Sequence, residues 1–126
     1  MQKKAVGWFE IYVKDMKRAR AFYEGVFAMR MENLPSPDPT MEMSAFPGPM
    51  DQSMGASGAL VKMNGGPTPG AGTIVYFMCE DCATEAGRAK VNGGKIAKEK
   101  FSIGQYGFAA HITDTEGNLI GLHSMK

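Results

Sequence analysis

Trp8-Phe9-Glu10-Ile11-Tyr12-Val13-Lys14-Asp15 and Ile74-Val75-Tyr76-Phe77-Met78-Cys79-Glu80-Asp81 align without a gap. Each is rich in β-branched and aromatic residues, ends in an acidic turn and leads straight into a helix-forming segment, so the chain opens the same way twice. The Asp15 and Asp81 carboxylates are placed to cap those helices, accepting from first-turn N–H groups that have no intrahelical partner.

The first helix, expected over about Met16 to Phe27, carries Ala19, Phe22, Tyr23 and Val26 at i, i+3, i+4, i+7 spacing, which reads as one buried stripe. The second, over about Ala83 to Val91, has the smaller stripe Cys82, Ala86 and Ala89 and stops at Gly93-Gly94. Three strand-like runs follow each helix. In the first copy they are about Arg30 to Leu34, Met41 to Phe46 and Gly58 to Met63, and in the second about Lys95 to Phe101, Phe108 to Thr113 and Leu119 to Met125. Proline- and glycine-rich loops at 35–39 and 47–57 separate the runs of the first copy. The pattern is α+β, with module 1 at about 1–64, a Gly-Pro linker at 65–70 and module 2 at about 71–126. A unit of about 60 residues with one helix cannot bury its sheet face alone, so the two modules are expected to form one domain.

The bulk properties agree. A chain of 126 residues with 44% hydrophobic and 21% charged residues is that of an ordinary globular domain. A formal charge of +1 and the lack of a basic cluster argue against nucleic acid as a partner. No run reaches the ~20 apolar residues of a membrane span and no signal-peptide core follows the N-terminus, so a soluble, cytoplasmic protein is expected. The two cysteines, Cys79 and Cys82, are too few for a zinc site. Their spacing at a helix start suits a redox pair, but packing as small hydrophobes explains them as well.

Val13-Lys14-Asp15 followed by Ala21-Phe22-Tyr23, the helix end Asn92-Gly93-Gly94, and Asp114-Thr115-Glu116-Gly117-Asn118 before the last strand resemble the vicinal oxygen chelate superfamily. That superfamily groups glyoxalases, bleomycin resistance proteins and extradiol dioxygenases, and the sequence is similar in particular to its bacterial glyoxalase-like subgroup of unassigned function. The resemblance implies paired βαβββ modules whose curved mixed sheets enclose a cavity, and in the metal-dependent members four ligands on inward-facing strands. Carried over residue by residue, those ligand positions fall on Trp8, Gly58, Ile74 and Gly121. An indole, an isoleucine and two glycines supply no donor of the kind divalent metals require. The family's usual metal site is therefore expected to be absent, and no cofactor is expected, with a displaced divalent metal as the alternative.

Alternation of strand side chains gives the expected cavity lining. Trp8, Glu10 and Tyr12 point inward on the first strand, Gly58, Leu60 and Lys62 on the fourth, Ile74, Tyr76 and Met78 on the fifth, and Gly121, His123 and Met125 on the last. His111, with Gln105 and Tyr106, is a candidate for a loop-gated entrance or an ordinary half-buried histidine. Such an aromatic and methionine-rich wall with a few ionisable groups suits a small-molecule pocket. Glu10 and His123 are the candidate acid/base pair, against which stands a structural pairing of Glu10 with Lys62 or His123, because a buried carboxylate must find a partner whether or not catalysis follows.

Two functions compete. One is a metal-free domain that binds or sequesters a small, partly apolar molecule, as the resemblance to resistance proteins implies. The other is a lyase, isomerase or dioxygenase that uses a displaced metal or Glu10/His123 chemistry. A homodimer is expected from the resemblance, with Met41, Met43, Met50 and Met54 offering an adaptable apolar surface.

Overall fold

A computed structural model describes residues 5–48, 55–65 and 72–126. The elements in chain order are β1 (Val6–Tyr12), α1 (Met16–Phe27), β2 (Glu32–Leu34), β3 (Met41–Ala45), β4 (Ser57–Met63), β5 (Thr73–Met78), α2 (Cys82–Val91), β6 (Lys95–Ser102), a 3-10 turn (Gly104–Tyr106), β7 (Phe108–Thr113) and β8 (Leu119–Ser124). Strand, helix and three strands thus occur twice, which makes the chain an α+β protein. Residues 66–70 of the expected linker, Met50 and Met54 lie outside the described residues. The described residues fall in two compact units, one within Trp8–Thr73 and the other within Ile74–Lys126 together with the residues before Trp8.

In the Trp8–Thr73 unit, β4 lies parallel to β1 and antiparallel to β3, and β2 pairs antiparallel with β3. α1 starts where the sequence places it because Asp15 Oδ1 accepts from the Arg18 N–H at 3.0 Å. That bond, on a fully exposed carboxyl, holds Asp15 below the usual carboxylate range. The helix ends at Ala28, whose φ of 50° is left-handed and whose N–H bonds back to Glu24 O. Met16, Met31 and Leu60 form the buried core of the unit, flanked by Ile11, Val13, Ala19, Tyr23 and Phe46. Only half of the expected stripe is covered. Ala19 and Tyr23 pack inward, whereas Phe22 is 61% and Val26 57% exposed, because the inward direction of α1 is set by Met16 and Tyr23.

The second unit has the order β5-β8-β7-β6, with β5 and β8 parallel and the remaining pairs antiparallel. Asp81 caps α2 by accepting from Ala83 N, and Lys100 adds an ion pair to the same oxygen at 3.0 Å. Cys82 and Ala86 pack on Ala110 and Leu122, with Cys79, Ile96, Phe108 and Ile112 around them, so the small stripe does bring α2 onto its sheet. Both Asn-Gly-Gly and the acidic motif act through backbone geometry. Gly93 is left-handed, and a Cβ on Gly94 would sit 2.6 Å from the Thr113 carbonyl. Asp114 Oδ1 accepts from the N–H groups of Glu116 and Asn118 and thereby shapes the β7–β8 turn.

Candidate functional site

The face of β1 away from α1 carries Trp8, Glu10 and Tyr12, which alternation puts on one side. Glu10 is 7% exposed, and its two carboxylate oxygens are held separately: Trp8 Nε1 donates to Oε2 at 3.0 Å and the Tyr12 hydroxyl to Oε1 at 2.8 Å. Burial, with the adjacent carboxylate adding to it, drives the Tyr12 phenol well above its ordinary range, so Tyr12 remains a hydrogen-bond donor. The three side chains form a fixed polar group on an otherwise apolar face. Charge-assisted bonds of this kind are the strong ones, and here they repay a desolvation that would otherwise be costly.

The fourth strand departs from the expected lining. Phe9 is the parallel partner of Gly58, Ile11 of Leu60 and Tyr12 of Val61, and side chains at paired positions share a face. Leu60 packs against Met16 and Met31 under α1, and a Cβ on Gly58 would meet the Phe9 ring at 2.5 Å. Gly58, Leu60 and Lys62 therefore lie on the helix-bearing face. Ser57, Ala59 and Val61 take the places expected of them, one residue out of step, as a period of two makes inevitable when register slips by one. Lys62 is exposed there, on the opposite side of the strand from Glu10.

In the second unit Tyr76, Gly121 and His111 are neighbours across β5, β8 and β7, on the side away from α2. The Tyr76 hydroxyl and His111 Nε2 lie 2.9 Å apart, and the Phe101 ring meets His111 edge-on at 5.6 Å. Lys98 Nζ stands 4.0 Å over the Phe101 ring. Burial, with Lys98 as the lesser cause, lowers the His111 pKa and keeps the imidazole neutral. Ile74 is almost fully buried, and Met78 and His123 are paired neighbours on β5 and β8. His123 Nε2 lies 2.6 Å from the Tyr106 carbonyl, which only accepts, so this nitrogen carries its hydrogen. The turn at Gln105 and Tyr106 is thus tied to His123, while His111 engages Tyr76 and Phe101. Met125, expected on the lining, is 66% exposed.

Phe101 and Lys98 are the neighbours of His111 that alternation does not find. Register shifts between Ile96 and Lys98 and again between Lys98 and Phe101 break the period of two along β6. Cys79 packs beside Cys82 against the α2 core, and burial, helped by Glu85, pushes its thiol up to about 11. Such a thiol is a poor nucleophile near neutral pH, the opposite of what a redox pair at a helix start requires.

The donor sets of the implied metal positions do not suit a divalent ion. Trp8 offers only an N–H donor and spends it on Glu10. Ile74 is a buried hydrocarbon. Gly121 lies beneath Tyr76, where a Cβ would fall 2.7 Å from Cγ of the ring and closer still to Cδ1 and Cε1, so no carboxylate-bearing side chain fits. Gly58 faces α1. Among the described residues no three His, Cys, Asp or Glu side chains are grouped as a metal site, and no helix is long and apolar enough to cross a membrane.

A twice-used βαβββ plan, with each helix on one face of its own sheet, defines a class of α+β domain. Residues 5–122 match the Glyoxalase/Bleomycin resistance protein/Dioxygenase superfamily, and the chain belongs to it. Methylmalonyl-CoA epimerase from Mycobacterium tuberculosis has a similar fold, with a TM-score of 0.69 at 16% identity over 97% of this chain and 88% of that one. So does a hypothetical protein from Bacillus halodurans, with a TM-score of 0.71 at 14% identity over 96% and 94%. A single-residue variant of Streptomyces coelicolor methylmalonyl-CoA epimerase, in complex with 2-nitronate-propionyl-CoA, aligns with a TM-score of 0.67 at 15% identity over 98% of each chain. At these identities the likeness is one of fold. Among curated proteins none matches the sequence.

Proposed function

We propose that this protein binds a small, partly apolar organic molecule on the helix-free sheet faces of its units, with no metal ion taking part. One observation carries the reading: the positions implied for metal donors hold an indole, an isoleucine and a glycine covered by the Tyr76 ring. The buried Glu10 carboxylate, fixed by Trp8 and Tyr12, and the Tyr76–His111 pair supply the few oriented polar groups that such ligand sites combine with an apolar wall. The test is elemental analysis of the purified protein, as isolated and after incubation with zinc, nickel, cobalt and manganese, followed by a thermal-shift screen of small aromatic and aliphatic acids, amides and thioesters. The expected result is no stoichiometric metal and a rise in melting temperature with some of the organic compounds. One tightly held divalent ion per chain would overturn it.

A catalytic reading draws support from a different pair than Glu10 and His123. Glu10 is bonded to two donors and His123 to a backbone carbonyl, whereas neutral His111 beside the Tyr76 hydroxyl is suited to proton transfer. If the screen yields a compound that is turned over, Tyr76→Phe should abolish turnover while Glu10→Gln and His123→Ala retain it. Retained turnover in Tyr76→Phe would remove the pair from the mechanism.

A further inference from the structure

Lys98 on β6 is aimed differently from its neighbours along the strand. β6 pairs antiparallel with β7, and side chains at paired positions share a face. Ile96 pairs with Ile112, and both pack on the Cys82–Ala86 core under α2, whereas Lys98 pairs with His111 on the opposite face. Lys100 turns back toward α2, where its ammonium meets the Asp81 carboxylate at 3.0 Å. Phe101, paired with Ala109, returns to the face of His111. In a regular strand Ile96, Lys98 and Lys100 would all share one face. Two register shifts prevent this: from Ile96 to Lys98 the partner strand advances one residue for two, and from Lys98 to Phe101 two residues for three. Each is a one-residue bulge, a device that gives up ladder hydrogen bonds and re-aims a side chain.

The result is a row across the helix-free face of this unit. Tyr76 pairs with Gly121, Gly121 with His111 and His111 with Lys98, so β5, β8, β7 and β6 each contribute one residue to the line. The missing side chain of Gly121 leaves the Tyr76 ring room to reach His111. Exposure rises along the row, from buried Tyr76 through half-buried His111 to exposed Lys98 on the edge strand. The Lys98 ammonium rests on the Phe101 ring and, among the described residues, forms no ion pair with a carboxylate, unlike that of Lys100. A ring beside an ammonium orients it and leaves N–H donors to spare. Its charge also helps to hold the His111 imidazole neutral, a repulsion that an anion seated between the two would relieve.

We propose that the ligand of this face is a small organic acid and that Lys98 selects it, the ammonium pairing with the carboxylate while a hydroxyl or carbonyl a few bonds away meets the Tyr76–His111 pair. Phe101 supplies apolar contact beside the carboxylate, and the body of the molecule lies along the row toward Tyr76. This role rests on the reading of the face as a ligand site. Lysines and bulges also guard an edge strand against pairing with other chains. That duty does not need an ammonium laid on the ring beside His111, and Lys98→Met separates the two roles.

The test is calorimetric titration with mandelate and phenylpyruvate, each beside its primary amide, on wild type, Lys98→Met and Lys98→Arg. Wild type should bind at least one acid about tenfold or more tightly than the matching amide. Lys98→Met should lose that preference and leave amide affinity unchanged, with an unchanged circular dichroism spectrum because the side chain is exposed. Lys98→Arg should keep most of it, and added salt should weaken the acid but not the amide. The acid should also move the His111 imidazole resonances. Amides that bind as well as the acids would overturn acid selection while leaving the ligand site standing. An acid preference that survives Lys98→Met, or that leaves the His111 resonances in place, would reduce Lys98 to an edge charge. Absence of binding by all four compounds would overturn acid selection, and the ligand site with it if the wider thermal-shift screen is also empty.

Discussion

Replacing Gly121 with alanine adds one methyl group at a place where the structure has no room for it. The new Cβ would lie 2.7 Å from Tyr76 Cγ and nearer still to Cδ1 and Cε1, whereas non-bonded carbons rest about 3.5–4.0 Å apart. The ring must therefore retreat by about 1 Å or the β5 and β8 backbones must separate. Tyr76 is only 7% exposed and its hydroxyl is bonded to His111 at 2.9 Å, so retreat also strains that bond. Overpacking of this kind costs about 1–3 kcal/mol, set against a gain of roughly 0.5–1 kcal/mol from replacing glycine within a strand. The net expectation is a loss of about 1–2 kcal/mol, a fall of about 3–10 °C in melting temperature for a domain of this size.

Thermal and urea unfolding monitored by circular dichroism give the number, and a double-mutant cycle gives the cause. In a Tyr76→Ala background the added methyl enters vacated space, so Gly121→Ala should become neutral or stabilising, with a coupling energy of about 1 kcal/mol or more. Gly87→Ala is the control. Gly87 lies inside α2 with nothing within 4 Å of a would-be Cβ, and the substitution should stabilise by about 0.5–1 kcal/mol. A Gly121→Ala protein as stable as wild type, or one with the same loss in both backgrounds, would refute the claim that Tyr76 covers this position. The room it denies a carboxylate at position 121 would then have to be reconsidered.

Three further outcomes follow from the polar groups. Glu10→Leu strands the Trp8 indole and Tyr12 hydroxyl donors and should cost about 2–4 kcal/mol in urea unfolding, with Glu10→Gln costing less because its amide oxygen can still accept; equal losses would mean that the two bonds do not hold the carboxylate. His111 has its pKa lowered by burial and by Lys98, so between the unfolded value of about 6.5 and the lower folded value the unfolded chain binds more protons. Stability should therefore fall as pH drops below about 6.5, and His111→Gln should remove that part of the slope; a variant with the wild-type pH profile would contradict it. The Cys79 thiol, pushed up to about 11, should react with a disulfide reagent roughly 100-fold more slowly near pH 8 than an unstructured cysteine, and the rate should rise to the ordinary one in denaturant. Fast labelling of the folded protein would revive the redox reading of Cys79 and Cys82.

What could be read from the sequence is what local chemistry decides. The two capping aspartates, the 3.6-residue spacing of α1 and α2, the Asn-Gly-Gly stop and the Asp114 turn each act within a few residues of themselves, and their elements lie where the sequence places them. Trp8, Glu10 and Tyr12 share a face for the same reason, since β1 is regular from Val6 to Tyr12. The partners of Glu10 needed more than alternation: a buried carboxylate demands donors, but that these are its own i−2 and i+2 neighbours depends on how their rings turn.

The misread features all depend on something tertiary. Which side of β4 faces α1 is set by its pairing with β1, and nothing in the proline- and glycine-bearing sequence before the strand specifies its phase, so counting along the sequence cannot fix it. The register shifts in β6 hide Phe101 and Lys98 from His111 in the same way. In α1 the apolar positions are real, but a helix can carry more of them than one sheet covers, and periodicity reports the residue type without saying what lies against it. Phe22 and Val26 fit the pattern of a core stripe and are exposed all the same. A mismatch between pattern and burial is itself information: large apolar side chains left in water at the end of a continuous line of rings mark surface for which the fold of one chain gives no reason.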